Sequence, residues 1–271
     1  MPELPEVETS RAGIAPYIEN QLFKAVIIRQ PKLRWLVPDL LVSTLPGLRL
    51  ESVRRRGKYL LLATSKGTLI LHLGMSGNLR ITTTQQSPGK HDHADFVFED
   101  GTVLRFNDQR KFGAILWHSG DISQHPLLIK LGPEPLTGEF NGDYLLHRAG
   151  NRILPVKSLL MDSHIVVGVG NIYANESLFM AGIQPARPAG KISATEYWKL
   201  ANAVKNVLQQ AIEMGGTTLR DFNGADGKPG YFKQSLHVYG RAKQPCLSCS
   251  NPITLIKIAQ RASYFCPVCQ S

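Results

Sequence analysis

All four cysteines of this 271-residue chain lie between residues 246 and 271. They form two pairs, Cys246 with Cys249 and Cys266 with Cys269, and each pair encloses two residues. This spacing is typical of a site in which four thiolates hold one tetrahedral zinc ion; redox-active pairs or an iron–sulfur site are the alternatives. Zinc saturated by four thiolates has no position open to water. We therefore predict one structural Zn2+ and expect any catalytic chemistry elsewhere in the chain.

The segment between the two cysteine pairs indicates a β-hairpin. Residues 253–257 and 261–265 are β-type runs that carry Lys257 and Arg261. No Asp or Glu follows Gly227, and across the whole chain 31 Lys and Arg outnumber 21 Asp and Glu, which gives a net charge of +10. This excess favours a polyanionic partner, although a basic protein without such a partner is the alternative.

Length and hydropathy limit the class of protein. A chain of this length with 43% hydrophobic residues can bury sizeable cores and is expected to hold about two domains. No stretch approaches the roughly 18 consecutive apolar residues of a transmembrane helix, and the acidic start lacks the basic residues of a signal peptide. We therefore predict a cytoplasmic protein with no membrane partner.

Hydrophobic periodicity divides the chain into a β-rich first part and a helical second part. Apolar spacing and early prolines predict a helix over residues 3–18. A hairpin turn is predicted at Glu99-Asp100-Gly101, and the basic run Arg54–Arg56 is interpreted as a solvated loop. Residues 196–213 predict an amphipathic helix that ends at Gly215-Gly216. The predicted strands, which suit an antiparallel sandwich or barrel, are 25–29, 48–53, 59–63, 68–73, 95–99, 102–106 and 114–117.

The first residues place a secondary amine beside carboxylates. Pro2 is followed by Glu3 and Glu6, and its nitrogen becomes a free amine once Met1 is removed. A free α-amine has a pKa of roughly 7.7–8.0, so a substantial fraction is neutral and nucleophilic at physiological pH. We hypothesise that Pro2 is a nucleophile and that Glu3 is the neighbouring general acid/base. The alternative is a helix that simply has proline in its first turn.

Short motifs from Pro2 to Cys269 match one known family. The matching segments, besides the cysteine spacing, are Pro2–Thr9, Lys58–Leu61, His72–Gly77, Lys90–His93, Leu131–Leu136, Gly168–Ala174 and Gly227–Tyr231. On these segments the sequence resembles the formamidopyrimidine-DNA glycosylases.

The resemblance implies an α+β multidomain protein with three parts. Residues 1–133 are expected to form a catalytic antiparallel β-sandwich that includes the N-terminal helix. Residues 134–225 are expected to form a helix-two-turn-helix domain that binds DNA. The end of a lesion-binding loop and a C-terminal four-cysteine zinc finger are expected over 226–271. The Gly-rich segment Thr217–Tyr231 is expected to close over an extruded base.

The resemblance also implies a bifunctional DNA glycosylase and abasic-site lyase that acts as a monomer on damaged double-stranded DNA. Such an enzyme excises oxidised purines, namely 8-oxoguanine and formamidopyrimidines, through a proline iminium intermediate and cuts the strand by β,δ-elimination. Catalytic roles are implied for Pro2, Glu3, Lys58 and Arg261, while Glu6 either supports them or only stabilises the first helical turn. The implied DNA contacts are Met75, His91, Arg110, Phe112, Lys157 and Asn171, with His72 ranked after them.

Two other functions would explain part of the same sequence pattern. An enzyme of the endonuclease VIII type, which acts on oxidised pyrimidines, typically begins Pro-Glu-Gly-Pro-Glu, whereas Leu4 stands here. A noncatalytic zinc-ribbon protein would explain the charge and the cysteines but not the Pro2-Glu3 start. Gln109, beside Arg110, departs from the family pattern and bears on how Arg110 is presented. The other departures are Lys111, Arg220 and Ser250, the last of which replaces a glycine.

Overall fold

The computed structural model describes residues 1–216 and 235–271. The segment predicted to close over an extruded base, Thr217–Tyr231, lies outside the described residues, as does Arg220. Chain contacts divide the protein into two compact units. Of the described residues, 1–129 and 214–216 belong to the first unit, and 130–213 and 235–271 belong to the second. The three-part division with boundaries after residues 133 and 225 stays a prediction.

In the described chain most strands precede residue 119 and most of the longer helices follow residue 141. The helices are α1 (Leu4–Ile18), α2 (Leu41–Thr44), α3 (Gly142–Ala149), α4 (Val156–Leu160), α5 (Asn171–Ala181) and α6 (Ala194–Glu213). The strands are β1 (Phe23–Ile28), β2 (Ser52–Arg56), β3 (Tyr59–Thr64), β4 (Gly67–His72), β5 (Gly77–Thr83), β6 (Asp92–Phe98), β7 (Thr102–Asp108), β8 (Ala114–His118), β9 (Thr254–Ile258) and β10 (Arg261–Phe265).

The first unit contains two four-stranded antiparallel sheets, which confirms the predicted class of fold. One sheet has the strand order β1-β6-β7-β5 and the other has the order β2-β3-β4-β8. Apolar side chains from both sheets and from α1 form one core, in which Phe23, Leu60, Phe96 and Leu104 are fully buried. This shared core holds the two sheets and α1 together, because burial of apolar surface is the main favourable contribution to folding.

Helix α1 lies close to the predicted bounds. It begins directly after Glu3, and Pro5 occupies its first turn, where a missing N–H breaks no bond within the helix. Ile14 and Ile18 are fully buried in the sandwich core. The start of α1, which carries Pro2 and Glu3, is therefore anchored through the far end of the same helix.

The basic run Arg54–Arg56 forms a strand, so its interpretation as a solvated loop was wrong. The strand predicted over 48–53 begins only at Ser52, and β2 continues through the three arginines. A two-residue turn at Gly57-Lys58 places Arg56 opposite Tyr59 on β3. The turn fixes the register of this hairpin. The apolar pattern of the sequence does not show that the strand extends through the arginines.

Among the strands that the structure describes in the first unit, β5 is the one that the sequence pattern does not predict. Only Leu79 and Ile81 give it an apolar face, and it lies at the edge of its sheet. The hairpin turn predicted at Glu99-Asp100-Gly101 is confirmed between β6 and β7, where Gly101 has a φ of +87°. Such a positive φ favours glycine.

The second unit packs α3 to α6 with the β9–β10 hairpin. Helix α6 is the amphipathic helix predicted over 196–213, and Leu200, Val204 and Leu208 on its apolar face are fully buried. Helix α3 approaches α6 at Gly142, where a Cβ atom would lie 2.4 Å from Cγ of Trp198. In the part of the chain that the structure describes, no helix combines the length and apolarity that a bilayer crossing requires.

A buried ion pair joins two strands of the β1-β6-β7-β5 sheet. Asp95 and Arg105 lie opposite each other on β6 and β7, and each is 3% exposed. The guanidinium of Arg105 donates two hydrogen bonds to the Asp95 carboxylate at 2.8 and 2.9 Å, and Arg29 donates another at 2.5 Å. Burial acts to raise the pKa of Asp95, but the hydrogen bonds from Arg105 and Arg29 outweigh it and lower that pKa below its ordinary value.

We expect Asp95→Asn to lower the free energy of unfolding by about 3 kcal/mol at pH 7, because it leaves Arg105 buried without its charge partner. The folded pKa of Asp95 lies below the unfolded value, so this stabilisation is present above the unfolded pKa and is lost as the pH falls through the folded one. Urea unfolding at a series of pH values should show the difference between variant and native protein shrinking in acid. The exposed Asp39→Asn is the control, and a pH-independent loss for Asp95→Asn would contradict the explanation.

Candidate functional site

The two residues predicted to begin catalysis lie at the start of α1. Pro2 and Glu3 are both buried, and the nitrogen of Pro2 is held in the peptide bond to the exposed Met1. The Glu6 carboxylate accepts a hydrogen bond from the backbone N–H of Glu3 at 2.8 Å. Of the two roles considered for Glu6, this geometry supports stabilisation of the first turn, which at the same time fixes the backbone of Glu3.

Lys58 lies in the β2–β3 turn, which is tied to α1 by an ion pair. Nε of Arg55 donates to the Glu8 carboxylate on α1 at 2.8 Å, and Nη1 of Arg55 donates to the carbonyl of Gly57 at 3.0 Å. The Arg55 side chain is only 12% exposed. Arg55 is therefore not a solvated charge: it connects the helix that begins with Pro2 and Glu3 to the turn that presents Lys58.

His72 lies at the end of β4, near Lys58. Its ring contacts that of Tyr59, with centroids 4.8 Å apart, and its Nδ1 accepts a hydrogen bond from the backbone N–H of Gly74 at 3.0 Å. Burial, and after it the positive charges of Lys58 and Arg34, lower the pKa of His72 to about 4. The imidazole is therefore neutral at pH 7, and its proton is on Nε2, which leaves an uncharged donor beside the lysine.

Met75, Arg110 and Phe112 come together on two loops of the first unit. A Cβ atom on Gly74 would lie 2.4 Å from the carbonyl carbon of Phe112, so the turn that carries Met75 is in direct contact with the loop that carries Phe112. The guanidinium carbon of Arg110 lies 5.0 Å from the centroid of the Phe112 ring. Met75 is 38% exposed and Phe112 is 46% exposed. These apolar side chains are therefore not part of the core, which was the alternative explanation for them.

His91 joins the same region through the backbone. Its carbonyl accepts a hydrogen bond from the N–H of Asp108, the last residue of β7, at 3.0 Å. Sequence reasoning overlooked Asp108 and also Ser76, whose hydroxyl donates to the Asp108 carboxylate at 2.6 Å. The available signal was the position of Asp108 two residues before Arg110, since an aspartate commonly bonds the backbone of the turn that follows it.

In the second unit, Lys157 and Asn171 meet at the carbonyl of Ala262, the residue that follows Arg261. This oxygen accepts hydrogen bonds from Nζ of Lys157 at 2.8 Å and from Nδ2 of Asn171 at 3.1 Å. Nζ of Lys157 also donates to the hydroxyl of Ser263 at 2.7 Å, and Lys157 is buried. The DNA contact predicted for Lys157 stays a prediction; in this structure its ammonium binds the hairpin that carries the exposed Arg261.

The four cysteines form the predicted metal-binding cluster. Their sulfur atoms all lie within 4.8 Å of one another, with Cys246 and Cys269 3.9 Å apart and Cys249 and Cys266 3.4 Å apart. A tetrahedral zinc ion with Zn–S bonds of about 2.3 Å requires sulfur separations of roughly 3.8 Å, so the donor set fits this metal. The cluster is positioned to bind one zinc ion, and no step of catalysis need pass through it.

A second overlooked carboxylate anchors the start of residues 237–271, which we call the zinc module. Glu176 on α5 is buried and accepts hydrogen bonds from three successive backbone N–H groups, those of His237 at 2.8 Å, Val238 at 3.0 Å and Tyr239 at 2.8 Å. The next residue back, Asn175, accepts from the N–H of Tyr264 on β10 at 2.7 Å. Helix α5 therefore holds the module from two sides, independently of the metal.

Ser250 occupies a backbone position that favours glycine. It follows the first cysteine pair, and its φ is +64°. A residue with a Cβ atom is strained in this left-handed region, by roughly 1–2 kcal/mol. The departure from the family pattern noted at Ser250 therefore has a structural cost within the zinc module.

Three family profiles match consecutive parts of the chain. They describe the formamidopyrimidine-DNA glycosylase N-terminal domain at residues 1–115, the formamidopyrimidine-DNA glycosylase H2TH domain at 131–223, and a zinc finger found in FPG and IleRS at 243–271. A formamidopyrimidine-DNA glycosylase of Methylococcus capsulatus is 57% identical over 270 residues, which cover 100% of each chain. The chain belongs to the formamidopyrimidine-DNA glycosylase family. It is thus a member of a family of bifunctional DNA glycosylases and abasic-site lyases.

Other members of this glycosylase family extend the comparison. The formamidopyrimidine-DNA glycosylase of Hydrogenovibrio crunogenus is 54% identical and covers 100% of this chain and 96% of its own. The crystal structure of the MutM (FPG) protein of Thermus thermophilus superposes with a TM-score of 0.89 at 38% identity and covers 99% of this chain and 98% of its own. A Lactococcus lactis FPG mutant in complex with Fapy-dG containing DNA gives a TM-score of 0.92 at 33% identity, with 100% of both chains covered. The predicted fold and zinc finger are confirmed.

We expect Arg55→Ala to lower the free energy of unfolding by about 1–2 kcal/mol, because it removes a largely buried ion pair and a bond to the Lys58 turn. The exposed neighbour Arg54 provides the control, and Arg54→Ala should change stability by less than about 0.5 kcal/mol. Urea unfolding of Glu8→Gln, Arg55→Ala and the double variant measures the coupling between the pair. Equal losses for Arg54→Ala and Arg55→Ala would show that the bridge to α1 does not matter.

We expect Ser250→Gly to tighten zinc binding, because it relieves the positive-φ strain in a module whose folding is coupled to the metal. The gain should be about 0.5–1 kcal/mol, since glycine also loses more backbone entropy on folding. Competition with a chromogenic chelator measures the affinity. Ser248→Gly, at a position without a positive φ, is the matched control and should weaken binding or leave it unchanged. Weaker binding by Ser250→Gly would contradict the strain explanation.

Proposed function

We propose that this protein excises oxidised purines, 8-oxoguanine and formamidopyrimidines, from duplex DNA and cuts the strand at the resulting abasic site, with Pro2 as the nucleophile. The observation that carries the proposal is the placement of Pro2 and Glu3 at the buried start of a helix that the Glu8–Arg55 pair ties to the Lys58 turn. Relatives support the class of substrate, since Lactococcus lactis FPG has been crystallised with Fapy-dG containing DNA and with DNA that contains an abasic site.

The chemistry begins when Met1 is removed and the nitrogen of Pro2 becomes a free secondary amine. Its lone pair attacks C1′ of the damaged nucleotide, and the bond from C1′ to the base breaks, so that the base leaves with the bonding electrons. The attacking nitrogen then passes its proton to the neighbouring Glu3 carboxylate, and the resulting carboxylic acid donates that proton to O4′ as the C1′–O4′ bond breaks and the sugar ring opens. The product is an iminium ion between Pro2 and C1′. It carries a permanent positive charge because a proline nitrogen in a C=N bond has no proton to lose.

The positive charge of the iminium promotes strand cleavage. It acidifies the protons on C2′, and loss of one of them expels the 3′ phosphate by β-elimination; δ-elimination then expels the 5′ phosphate. Lys58 and Arg261 are the cationic residues to which we assign proton transfer and phosphate stabilisation in these steps. Lys58 has a neutral His72 as its neighbour, which adds a hydrogen-bond donor without adding repulsive charge.

A base inside a duplex must leave the stack before Pro2 can reach C1′. We assign Met75 and Phe112 to the space that the extruded nucleotide vacates, since both are exposed apolar side chains on touching loops. Arg110, which stacks on Phe112, is assigned to the base opposite the lesion.

The remaining DNA contacts involve phosphates, which position the duplex without reading its sequence. We assign them to His91 in the first unit and to Asn171 and Arg261 in the second, with Lys157 supporting Arg261 through the Ala262 carbonyl. The net charge of +10 supports binding to a polyanion. Action as a monomer in the bacterial cytoplasm, at the nucleoid, completes the proposal.

Oxidised pyrimidines are the second candidate substrate. The observation that favours them is a structure of Lactococcus lactis FPG in complex with DNA that contains an oxidised pyrimidine. Leu4, in place of the glycine of the pyrimidine enzymes, favours the purine substrate. Trapping rates on duplexes that differ only in the lesion distinguish the two.

Borohydride reduces an iminium and makes the enzyme–DNA link permanent, so we expect the native protein to form a one-to-one covalent adduct with a duplex that contains 8-oxoguanine opposite cytosine. Insertion of one alanine between Met1 and Pro2 should abolish the adduct, because the Pro2 nitrogen then stays in a peptide bond. Pro5→Ala, in the same helical turn, is the control and should retain it.

Intact mass must first show that Met1 is absent from the native protein and from Pro5→Ala. No adduct with the processed native protein would exclude the proposed mechanism. A stronger adduct with an oxidised pyrimidine would favour the second candidate.

A further inference from the structure

Asp108 is a fully buried carboxylate to which the proposed function assigns no role. It ends β7 and is 0% exposed. Oδ1 accepts a hydrogen bond from the hydroxyl of Ser76 at 2.6 Å and another from the N–H of Arg110 at 3.2 Å. Oδ2 accepts from the N–H of Gly113 at 2.7 Å. One carboxylate therefore binds both ends of the loop that carries Arg110 and Phe112.

The bond to Ser76 extends this control to the turn that carries Met75. Ser76 is 3% exposed, and its hydroxyl oxygen also accepts a hydrogen bond from the N–H of Arg110 at 3.1 Å. The hydroxyl is thus a donor to Asp108 and an acceptor from the opposite loop. The two loops also meet through the close packing of Gly74 on Phe112.

The backbone of Asp108 reaches two further residues of the same region. Its N–H donates to the carbonyl of His91 at 3.0 Å, and its carbonyl accepts from Nε2 of His93 at 2.7 Å. Among the residues that the structure describes, no cation forms an ion pair with the Asp108 carboxylate. Its charge is therefore balanced by N–H and O–H dipoles, and these dipoles can stabilise it only while both loops keep this arrangement.

Hydrogen bonds are the main constraint on these loops, because the side chains at their tips are not buried in the hydrophobic core. Met75 and Phe112 are too exposed to be held by burial. A wedge that fills the space of an extruded base must nevertheless be rigid, since misplacement by about 1 Å can cost roughly 100-fold in rate.

We propose that Asp108 is a positioning residue for base extrusion, which holds the Met75 turn and the Arg110–Phe112 loop together as one rigid wedge. The proposal rests on the proposed function, because it assumes that these side chains enter the duplex. It predicts that Asp108 affects the extrusion of the base, whereas Pro2 and Glu3 affect the chemical step.

The two steps separate on different substrates. Excision of 8-oxoguanine paired with cytosine requires extrusion, whereas a preformed abasic site has no base to extrude. A lesion placed in an unpaired bubble is an intermediate case, because an unpaired base requires less free energy for extrusion than a paired one. A variant with a loosened wedge should therefore fail on the paired lesion, recover on the bubble and remain active on the abasic site.

The experiment uses Asp108→Asn and the milder Ser76→Ala in the full-length protein, with the exposed Asp100→Asn at the other end of β7 as control. The NH2 group of asparagine cannot accept, so either the bond from Gly113 or the bonds from Ser76 and Arg110 are lost. Alanine at position 76 removes only the bridging hydroxyl. Single-turnover excision and abasic-site cleavage are measured on the three substrates after thermal unfolding has shown that each variant is folded.

We expect excision of the paired lesion to fall roughly 10- to 100-fold for Asp108→Asn, and by a smaller factor for Ser76→Ala. Abasic-site cleavage should stay within about twofold of the native rate, and the bubble should restore most of the lost excision. Equal losses on all three substrates would overturn the positioning role, as would no loss in either variant. Failure of the native protein to cleave an abasic site would instead reject the proposed function itself.

Discussion

Buried carboxylates that accept hydrogen bonds from backbone N–H groups hold the functional segments of this protein in place. Glu6 binds the N–H of Glu3, Asp108 binds two N–H groups of the loop around Phe112, and Glu176 binds three N–H groups at the start of the zinc module. Segments outside helices and sheets have no partners of their own for these groups, and a buried unpaired N–H is costly. In these segments the carboxylates thus accept the hydrogen bonds that a helix or a sheet would otherwise provide.

In the zinc module, both local and long-range contacts hold the chain in place. The metal fixes the two cysteine pairs, but the orientation of the β9–β10 hairpin depends on α4 and α5 as well. Lys157 and Asn171 both bind the Ala262 carbonyl, and Asn175 binds β10 on the same side. Bound zinc would thus join the two cysteine pairs, whereas α4 and α5 hold the hairpin that carries Arg261 within the second unit.

Features with a local signature were predictable from the sequence. The cysteine spacing defined the metal ligands, and the apolar periodicity defined α1, α6 and the sandwich. Contacts between distant residues left no such signature: Glu8 and Arg55 are 47 residues apart, and Lys157 and Ala262 are 105 apart. For this reason the sequence indicated a solvated charge at Arg55, which is paired, and did not reveal the bonds of Lys157 to the β9–β10 hairpin. The link from Asp108 to Ser76 was overlooked because these residues are 32 apart in sequence.

The neutral state of His72 has a consequence for how DNA affinity responds to solution conditions. Each lysine or arginine that neutralises a phosphate releases a counterion, so its contribution to affinity weakens as salt concentration rises. An uncharged imidazole that donates through Nε2 releases none. Because the pKa of His72 is about 4, its proton count is also constant across the physiological range. If His72 contacts DNA as the family resemblance implies, its hydrogen bond would depend neither on ionic strength nor on a modest acidification.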